Sequence, residues 1–231
     1  MTTLLGIDTS TTHVGVAVGR DGEVLAARST AASRRHAELL VPTIAEVLAA
    51  AGLRPGDLDA VAVGIGPGLF TGLRVGVTTA MTMAHALGRP VVPVPTLELI
   101  AAPHAADGRV VAAVVDAKRR EVFAATFTSG PALLRITEDS VGPAGEVAAA
   151  LAALDREVLV VGDGAAAHPE AFAGLSRVEV AGPEWAAARP EVLVGLGAAA
   201  LAAGDAVAAD TVRPRYLRRS DAELNWEAAG R

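Results

Sequence analysis

The stretch Gly64-Ile65-Gly66-Pro67-Gly68-Leu69-Phe70-Thr71-Gly72-Leu73-Arg74-Val75-Gly76 constrains this chain more than any other part of it. A short apolar run, Val61–Ile65, leads into it, and an apolar pattern at helical spacing leads out. A strand, a glycine loop and a helix in that order can bring backbone N–H groups close to an anion. The same glycines can instead serve a tight turn that lets two stretches of main chain pack closely. No Gly-Lys-Ser/Thr closes the loop, so it is not a Walker phosphate loop. Leu69 stands where the dinucleotide fingerprint needs its last glycine.

The surrounding pattern alternates strands and helices. Leu4–Asp8, Val14–Val18 and Glu23–Ser29 read as three antiparallel strands, with Asp21-Gly22 as the hairpin turn between the last two. His36–Ala51 carries apolar residues on one stripe at helical spacing, with Ser33 as candidate N-cap and Gly52 as stop. Ala60–Ile65 is a strand, Gly72–Leu87 a second striped helix ending at Gly88, and Val91–Val94 a further strand before a helix at Thr96–Ala102. After a break at Pro103–Gly108 come a strand pair, Val110–Asp116 and Glu121–Thr128, then a helix at Glu146–Leu154, a strand at Val158–Val161 and a helix at Glu191–Ala203. Residues 211–231 read as a polar, extended tail. The order β-β-β-α-β-α-β-α followed by a reduced second round predicts mixed sheets with helices against them, in two lobes spanning 1–105 and 106–231.

Composition narrows the function. A chain of 231 residues that is 52% hydrophobic can build a large core. It has no cysteine, which excludes disulfides, thiolate metal sites and a cysteine nucleophile and fits a reducing cytoplasm. No basic segment followed by an apolar one opens the chain, and Gly, Pro or charge interrupts each apolar stretch, so neither a signal peptide nor a membrane span is expected. A net charge of −6 argues against a generally basic nucleic-acid surface. Lys118 is the single lysine among 20 basic residues, an arginine bias that reads as genome composition.

Asp8–Ser10, Arg35–Pro42, Gly66–Gly76, Asp116–Phe123 and Pro214–Arg218, in order along nearly the whole chain, together resemble the TsaB (YeaZ) family, relatives of TsaD. Asp8-Thr9-Ser10 resembles the first phosphate motif of the actin-like and sugar-kinase superfamily. Arg35–Pro42 resembles the helix start of the TsaB/TsaD group, and Gly66–Gly76 its glycine signature. Asp116–Phe123 resembles the family stretch Asp-Ala-Arg-x-Gly-Glu-Val-Tyr, and Pro214-Arg215-Tyr216-Leu217-Arg218 its terminal Pro-x-Tyr-Leu-Arg. The resemblance implies an α/β, two-lobed actin-like/sugar-kinase-like (ASKHA, ribonuclease H-like) fold. It implies a non-catalytic scaffold that binds TsaD, with the ATPase TsaE joining, for threonylcarbamoyl transfer to adenosine 37 of ANN-decoding tRNAs. The tRNA would be met indirectly.

TsaD-like sequences place two histidines four residues apart after the strand matching Val91–Val94. Here Thr96 and Ile100 stand in those places, so that metal site is expected to be absent. The five histidines, His13, His36, His85, His104 and His168, show no paired spacing. No cofactor is required by the resemblance. ATP or ADP bound weakly at a subunit junction is implied as an option, with Asp8, Gly66, Gly68 and Gly72 as the phosphate-side candidates. Asp8 has a structural reading as well, capping the strand end and binding the backbone of Thr9–Thr12.

The two striped helices are the sharpest site expectation. Paired with two helices of a partner they would make a four-helix bundle, through His36, Leu40, Val41, Ile44, Val47, Leu73, Arg74, Val77, Met81 and Ala84. The same surface would make a homodimer when the chain is alone. Substituting Leu40 or Val77 with Arg is expected to abolish pairing and leave the fold intact. Arg213, Arg215, Arg218 and Arg219 form a basic tail cluster open to tRNA phosphate, to an acidic partner or to solvent. The rival reading is an ATP-binding small-molecule kinase or ATPase of the same superfamily. A peptidase has no supporting motif here.

Overall fold

The structure, a computed structural model, describes residues 1–33, 35–130 and 133–218. β1 (Thr3–Asp8) lies between antiparallel β2 (His13–Arg20) and parallel β4 (Ala60–Gly64); β3 (Glu23–Ala31) and β5 (Val91–Val94) complete a sheet of order β3-β2-β1-β4-β5. Between β2 and β3 the chain turns in two residues, Asp21 and Gly22, at φ +51° and +86°. That left-handed pair is the demand of a type I′ turn, and Asp-Gly meets it at low cost.

α1 (His36–Ala50) follows β3, and α2 (Phe70–Leu87) follows β4. α1 buries His36, Leu40, Thr43, Ile44, Val47 and Leu48 on one stripe. It stops where Gly52 takes φ +67° and Leu53 N–H reaches back to the Leu48 carbonyl at 2.9 Å. Its start differs from the sequence expectation. Arg35 is the N-cap and makes no side-chain cap bond, while Ser33 lies two residues further out at φ +49°. α2 starts at Phe70, earlier than its apolar stripe suggests, because Leu69 serves as N-cap and accepts from Leu73 N–H at 2.9 Å.

α3 (Thr96–Ala101) leads to the second sheet. β6 (Val110–Lys118) lies between antiparallel β7 (Glu121–Thr128) and parallel β10 (Val158–Val161), repeating the placement of β1. β8 (Leu134–Arg135) and β9 (Ser140–Pro143) both pair with β7, α4 (Ala144–Ala152) precedes β10, and α5 (Gly164–Ala167) and α6 (Pro169–Phe172) precede β11 (Val178–Val180). The order β11-β10-β6-β7-β8 matches that of the first sheet strand for strand. α7 (Pro190–Ala203) then returns to the first sheet and lies across β1, β2 and β3.

Three apolar clusters give the layers. α1 and α2 cover one face of the first sheet through Leu40, Ile44, Val47, Val77 and Ala80 against Leu5, Ile7, Val61 and Val63. α7 covers the other face and touches α3, which lies on β6 and β7 of the second sheet, so Leu4, Leu97, Val111, Phe127 and Leu193 belong to one core. α4 and α6 close the far face with Ala148, Leu151 and Phe172. Each fully buried Leu or Val contributes about 1.5–3 kcal/mol, so this middle layer fixes the two sheets to one another. Among the described residues, Pro183–Ala203 is the one stretch long and apolar enough by composition to cross a membrane. It includes α7, whose Leu193 and Val194 are fully buried in the middle layer.

Candidate functional site

β1 ends in a buried loop: Asp8, Thr9, Ser10 and Thr11 are each almost fully enclosed. The Asp8 carboxylate accepts Ser10 N–H at 3.2 Å and the Ser10 hydroxyl at 3.0 and 2.9 Å to its two oxygens. Burial pushes its pKa up from 3.8 to about 6, and the Ser10 bonds recover only part of the loss. A Cβ at Gly64, the last residue of β4, would stand 1.9 Å from Asp8 Oδ2.

The glycine loop lies directly on this segment. Leu69 N–H donates to the Ser10 carbonyl at 2.8 Å, and the Thr9 hydroxyl donates to the Gly72 carbonyl at 2.7 Å. A Cβ at Gly68 would meet Ser10 O at 2.2 Å, and one at Gly72 would meet Thr9 O at 2.0 Å. Gly66 N–H donates to Thr96 Oγ1 at 3.1 Å, and Thr96 N–H donates to the Gly66 carbonyl at 2.9 Å. The structure thus brings Asp8, Gly66, Gly68 and Gly72 together, and what they pack against is the protein's own main chain. Thr96, in one of the two histidine places, holds the loop; Ile100, in the other, is core. Among the described residues no group of three His, Asp or Glu comes together to hold a metal ion.

A feature the sequence reading missed crosses this loop. Residues 213–218 form a strap: Arg215 N–H donates to the Ile65 carbonyl at 2.7 Å, and the Arg215 carbonyl lies where a Cβ on Gly66 would stand 2.9 Å away. The Arg215 guanidinium pairs with Asp139 at 2.9 Å and lies 3.6 Å from Glu138. Tyr216 stacks on Phe70 at 4.8 Å between ring centroids; Arg74 covers the other partner of that pair, 4.2 Å from the Phe70 centroid, and donates Nε–H to the Tyr216 hydroxyl at 3.2 Å. Arg218 pairs with Glu121 at 2.8 Å, and Arg213 donates to the carbonyls of Asp210 and Val212. Three of the tail arginines that the sequence left open to tRNA phosphate, an acidic partner or solvent, Arg213, Arg215 and Arg218, therefore bind within the molecule. Arg219 lies outside the described residues.

The expected partner face divides sharply. His36, Leu40, Ile44, Val47, Leu73, Val77 and Ala84 are all under a tenth exposed and belong to the protein's own interior, with His36 Nε2–H donating to the Thr11 carbonyl at 2.9 Å. The expectation that Leu40→Arg or Val77→Arg would leave the fold intact is corrected: both side chains are core, and a guanidinium there cannot be solvated. Val41, 63% exposed, and Arg74 point outward, and Met81 is half-buried. Around Val41 the outer face of α1 carries Ala37, Ala45 and Ala49, and that of α2 carries Thr71, Thr78 and Thr82. These small residues, which let another helix approach closely, share the outward faces with Glu38, Pro42 and Glu46 on α1 and with Arg74 and His85 on α2.

These features define the class first. Two repeated sheets around a shared helical layer are the actin-like fold, shared with the ethanolamine utilization protein EutJ from Carboxydothermus hydrogenoformans at a TM-score of 0.53 and 15% identity, over 86% of this chain and 90% of that one. The model of the family described as TsaD: tRNA N6-adenosine threonylcarbamoyltransferase matches residues 28–226. The solved YeaZ from Pseudomonas aeruginosa superposes at a TM-score of 0.80 with 31% identity, covering 94% of this chain and 100% of that one. The tRNA threonylcarbamoyladenosine biosynthesis protein TsaB of Bacillus subtilis (strain 168) is 29% identical over 227 residues, 97% of each chain. The chain belongs to the TsaB (YeaZ) family.

Proposed function

We propose that this chain takes part in making tRNA threonylcarbamoyladenosine as a non-catalytic subunit, binding a TsaD-type paralogue through the outward faces of α1 and α2. One observation carries the reading. The glycines that a kinase or ATPase would use to cradle a phosphate are taken up by close packing on the chain's own backbone, Gly68 against Ser10 O and Gly72 against Thr9 O, which supports a structural use of the loop. A scaffold uses it to lock α2 onto β1, so that the face of α2 is rigid before a partner arrives.

In this reading the chain needs no cofactor of its own. Its contribution is thermodynamic: docking favours the competent arrangement of the partner's active site by whatever free energy separates docking to that arrangement from docking to others. TsaE joins the pair, and ATP is consumed outside this chain. Alone, the chain covers the same face with a second copy of itself.

The test is threonylcarbamoyladenosine formation on tRNA, read by mass spectrometry of the nucleosides. The reaction holds TsaD, TsaE, the adenylate-forming synthase, threonine, bicarbonate and ATP, with and without this chain. Product that depends on the chain, with none from the chain alone, is the expected result. Product indifferent to the chain overturns the reading, and magnesium-dependent ATP turnover by the isolated chain would favour the kinase.

A further inference from the structure

Of the segments that carry the family resemblance, Pro214–Arg218 is the one the function above leaves unused. In the fold it is the strap, and Tyr216 is its outward residue, 41% exposed between two fixed neighbours. Arg215 is tied by its backbone to Ile65 and by its guanidinium to Asp139, and Arg218 is tied to Glu121. From 142 residues away along the chain, Tyr216 is thereby set onto the start of α2. Its ring stacks on Phe70, and its hydroxyl accepts Arg74 Nε–H. Phe70 and Arg74 are four residues apart, so they stand one above the other on the helix, and the guanidinium covers the Phe70 ring.

This group is continuous with the face of α2 assigned to docking. Arg74 is exposed on the same stripe as Thr71, Thr78 and Thr82. Those are small residues, whereas Arg and Tyr are the types that concentrate binding energy when a partner covers them. Here they are ordered in advance, which lowers the entropy lost on docking. The match of the TsaD family model to residues 28–226 takes in both helices, so a TsaD-type partner presents counterparts of α1 and α2. Two like faces complement one another when each carries both signs of charge. This face does: Glu38 is exposed on the first turn of α1 and Arg74 on the second turn of α2. The two helix starts are neighbours, since a Cβ on Gly72 would stand 3.6 Å from His36 Cδ2.

We propose that the strap is part of the docking surface: Tyr216 holds Arg74 so that its guanidinium receives a carboxylate from the first turn of the partner's counterpart of α1. This rests on the function proposed above and names the point on the face where affinity concentrates. The Tyr216 hydroxyl takes the donor at Nε, and the terminal N–H groups form the fork that suits a carboxylate. Through its hydroxyl Tyr216 is a positioning residue; through its exposed ring it adds apolar contact beside the ion pair.

The test is calorimetric titration of the full chain and its variants with TsaD, at about 50 and 200 mM salt. Arg74→Ala is expected to weaken binding roughly thirtyfold and to flatten its salt dependence, while melting within about 2 °C of wild type. Arg74→Lys keeps the charge and loses the planar fork, so it should keep the salt dependence and recover only part of the affinity. Tyr216→Phe keeps the stacked ring and removes the hydroxyl. Its expected loss is about three- to tenfold, and that loss should vanish when Arg74 is already alanine, because the hydroxyl acts through Arg74. Wild-type affinity for Arg74→Ala overturns the proposal, and so does a Tyr216→Phe loss that persists unchanged in the Arg74→Ala background. Either outcome, with TsaD still bound by the wild type, removes the strap from the interface and leaves the docking reading standing. No binding of TsaD by the wild-type chain removes both.

Discussion

The Asp8 carboxylate occupies the space above Gly64 so completely that a single methyl group there would stand 1.9 Å from Oδ2. Gly64 therefore cannot take a side chain while Asp8 keeps its place. Gly64→Ala must displace a buried carboxylate that is bonded to Ser10, and Ser10 in turn receives Leu69 from the glycine loop. The expected cost is about 2–4 kcal/mol, a fall in melting temperature of roughly 5–15 °C by circular dichroism. A melting temperature equal to wild type would show that Asp8 can move aside and that the packing described is not rigid.

Asp8 also makes stability depend on pH, and the sign follows from the direction of its shift. The carboxyl titrates at about 6 in the fold against 3.8 ordinarily, so the folded state holds the proton more tightly than the unfolded chain does. Below about pH 3.8 both states are protonated and nothing is lost; the penalty grows between about 3.8 and 6 and is complete above 6, at about 3 kcal/mol. Asp8→Asn keeps an acceptor for Ser10 and removes the charge. It is expected to melt several degrees above wild type at about pH 7.5 and level with it near pH 4. A gain that is equal at both pH values would assign the effect to something other than ionisation.

Much of this fold was legible in the sequence because its signals are local. Asp21-Gly22 announces its turn, the apolar stripes of α1 and α2 announce their buried faces, and Gly52 and Gly88 stop those helices with left-handed backbone. The glycine loop was legible as either an anion cradle or a close approach of main chain, and the nearness of the Thr9 and Ser10 carbonyls is visible only in the fold. What the sequence hides is where a face points and what lies far away along the chain. Leu40 and Val77 sit on stripes that fit a partner or a sheet equally well, and only the placement of β1 and β4 decides for the sheet. Ser33 has the right chemistry for a cap but stands two residues too early, ahead of the actual N-cap Arg35. The strap carries no periodicity at all; its role depends on Ile65, Phe70 and Asp139, which are 70 or more residues away.

The division between Leu40 and Val41 gives a sharp contrast between adjacent residues. Leu40 is wholly buried and Val41 is 63% exposed. Leu40→Ala should destabilise the chain by about 2–5 kcal/mol and weaken pairing with TsaD only through loss of folded protein. Val41→Glu should leave the melting temperature within a degree or two and weaken pairing at least tenfold, because it replaces the exposed apolar side chain of that face with a second carboxylate one turn from Glu38. Calorimetric titration of TsaD with each folded variant separates the two. Wild-type affinity for Val41→Glu would move the docking face away from α1.

The strap sets the last prediction. Asp139 has no exposed side-chain surface and is held by two guanidiniums, Arg135 at 2.5 Å and Arg215 at 2.9 Å. Arg135 comes from β8 in the second sheet, whereas Arg215 is fixed by its own backbone to Ile65 in the first. The pair therefore ties the glycine loop to the second sheet by a route independent of the middle helical layer. Arg215→Ala leaves Asp139 buried with one partner, which should cost about 1–3 kcal/mol. The backbone bond to Ile65 survives this change, so the loss of stability should appear without loss of the fold. Hydrogen exchange separates a brace from a passive surface pair: with Arg215→Ala, amides of Gly66 and Leu69 are expected to exchange faster while those of β6 stay protected, because only the loop depends on the strap. A double-mutant cycle with Asp139→Asn should return a coupling of about 1 kcal/mol or more. Additive effects together with unchanged exchange at Gly66 and Leu69 would mean that the loop is held by Thr96 and Ser10 alone.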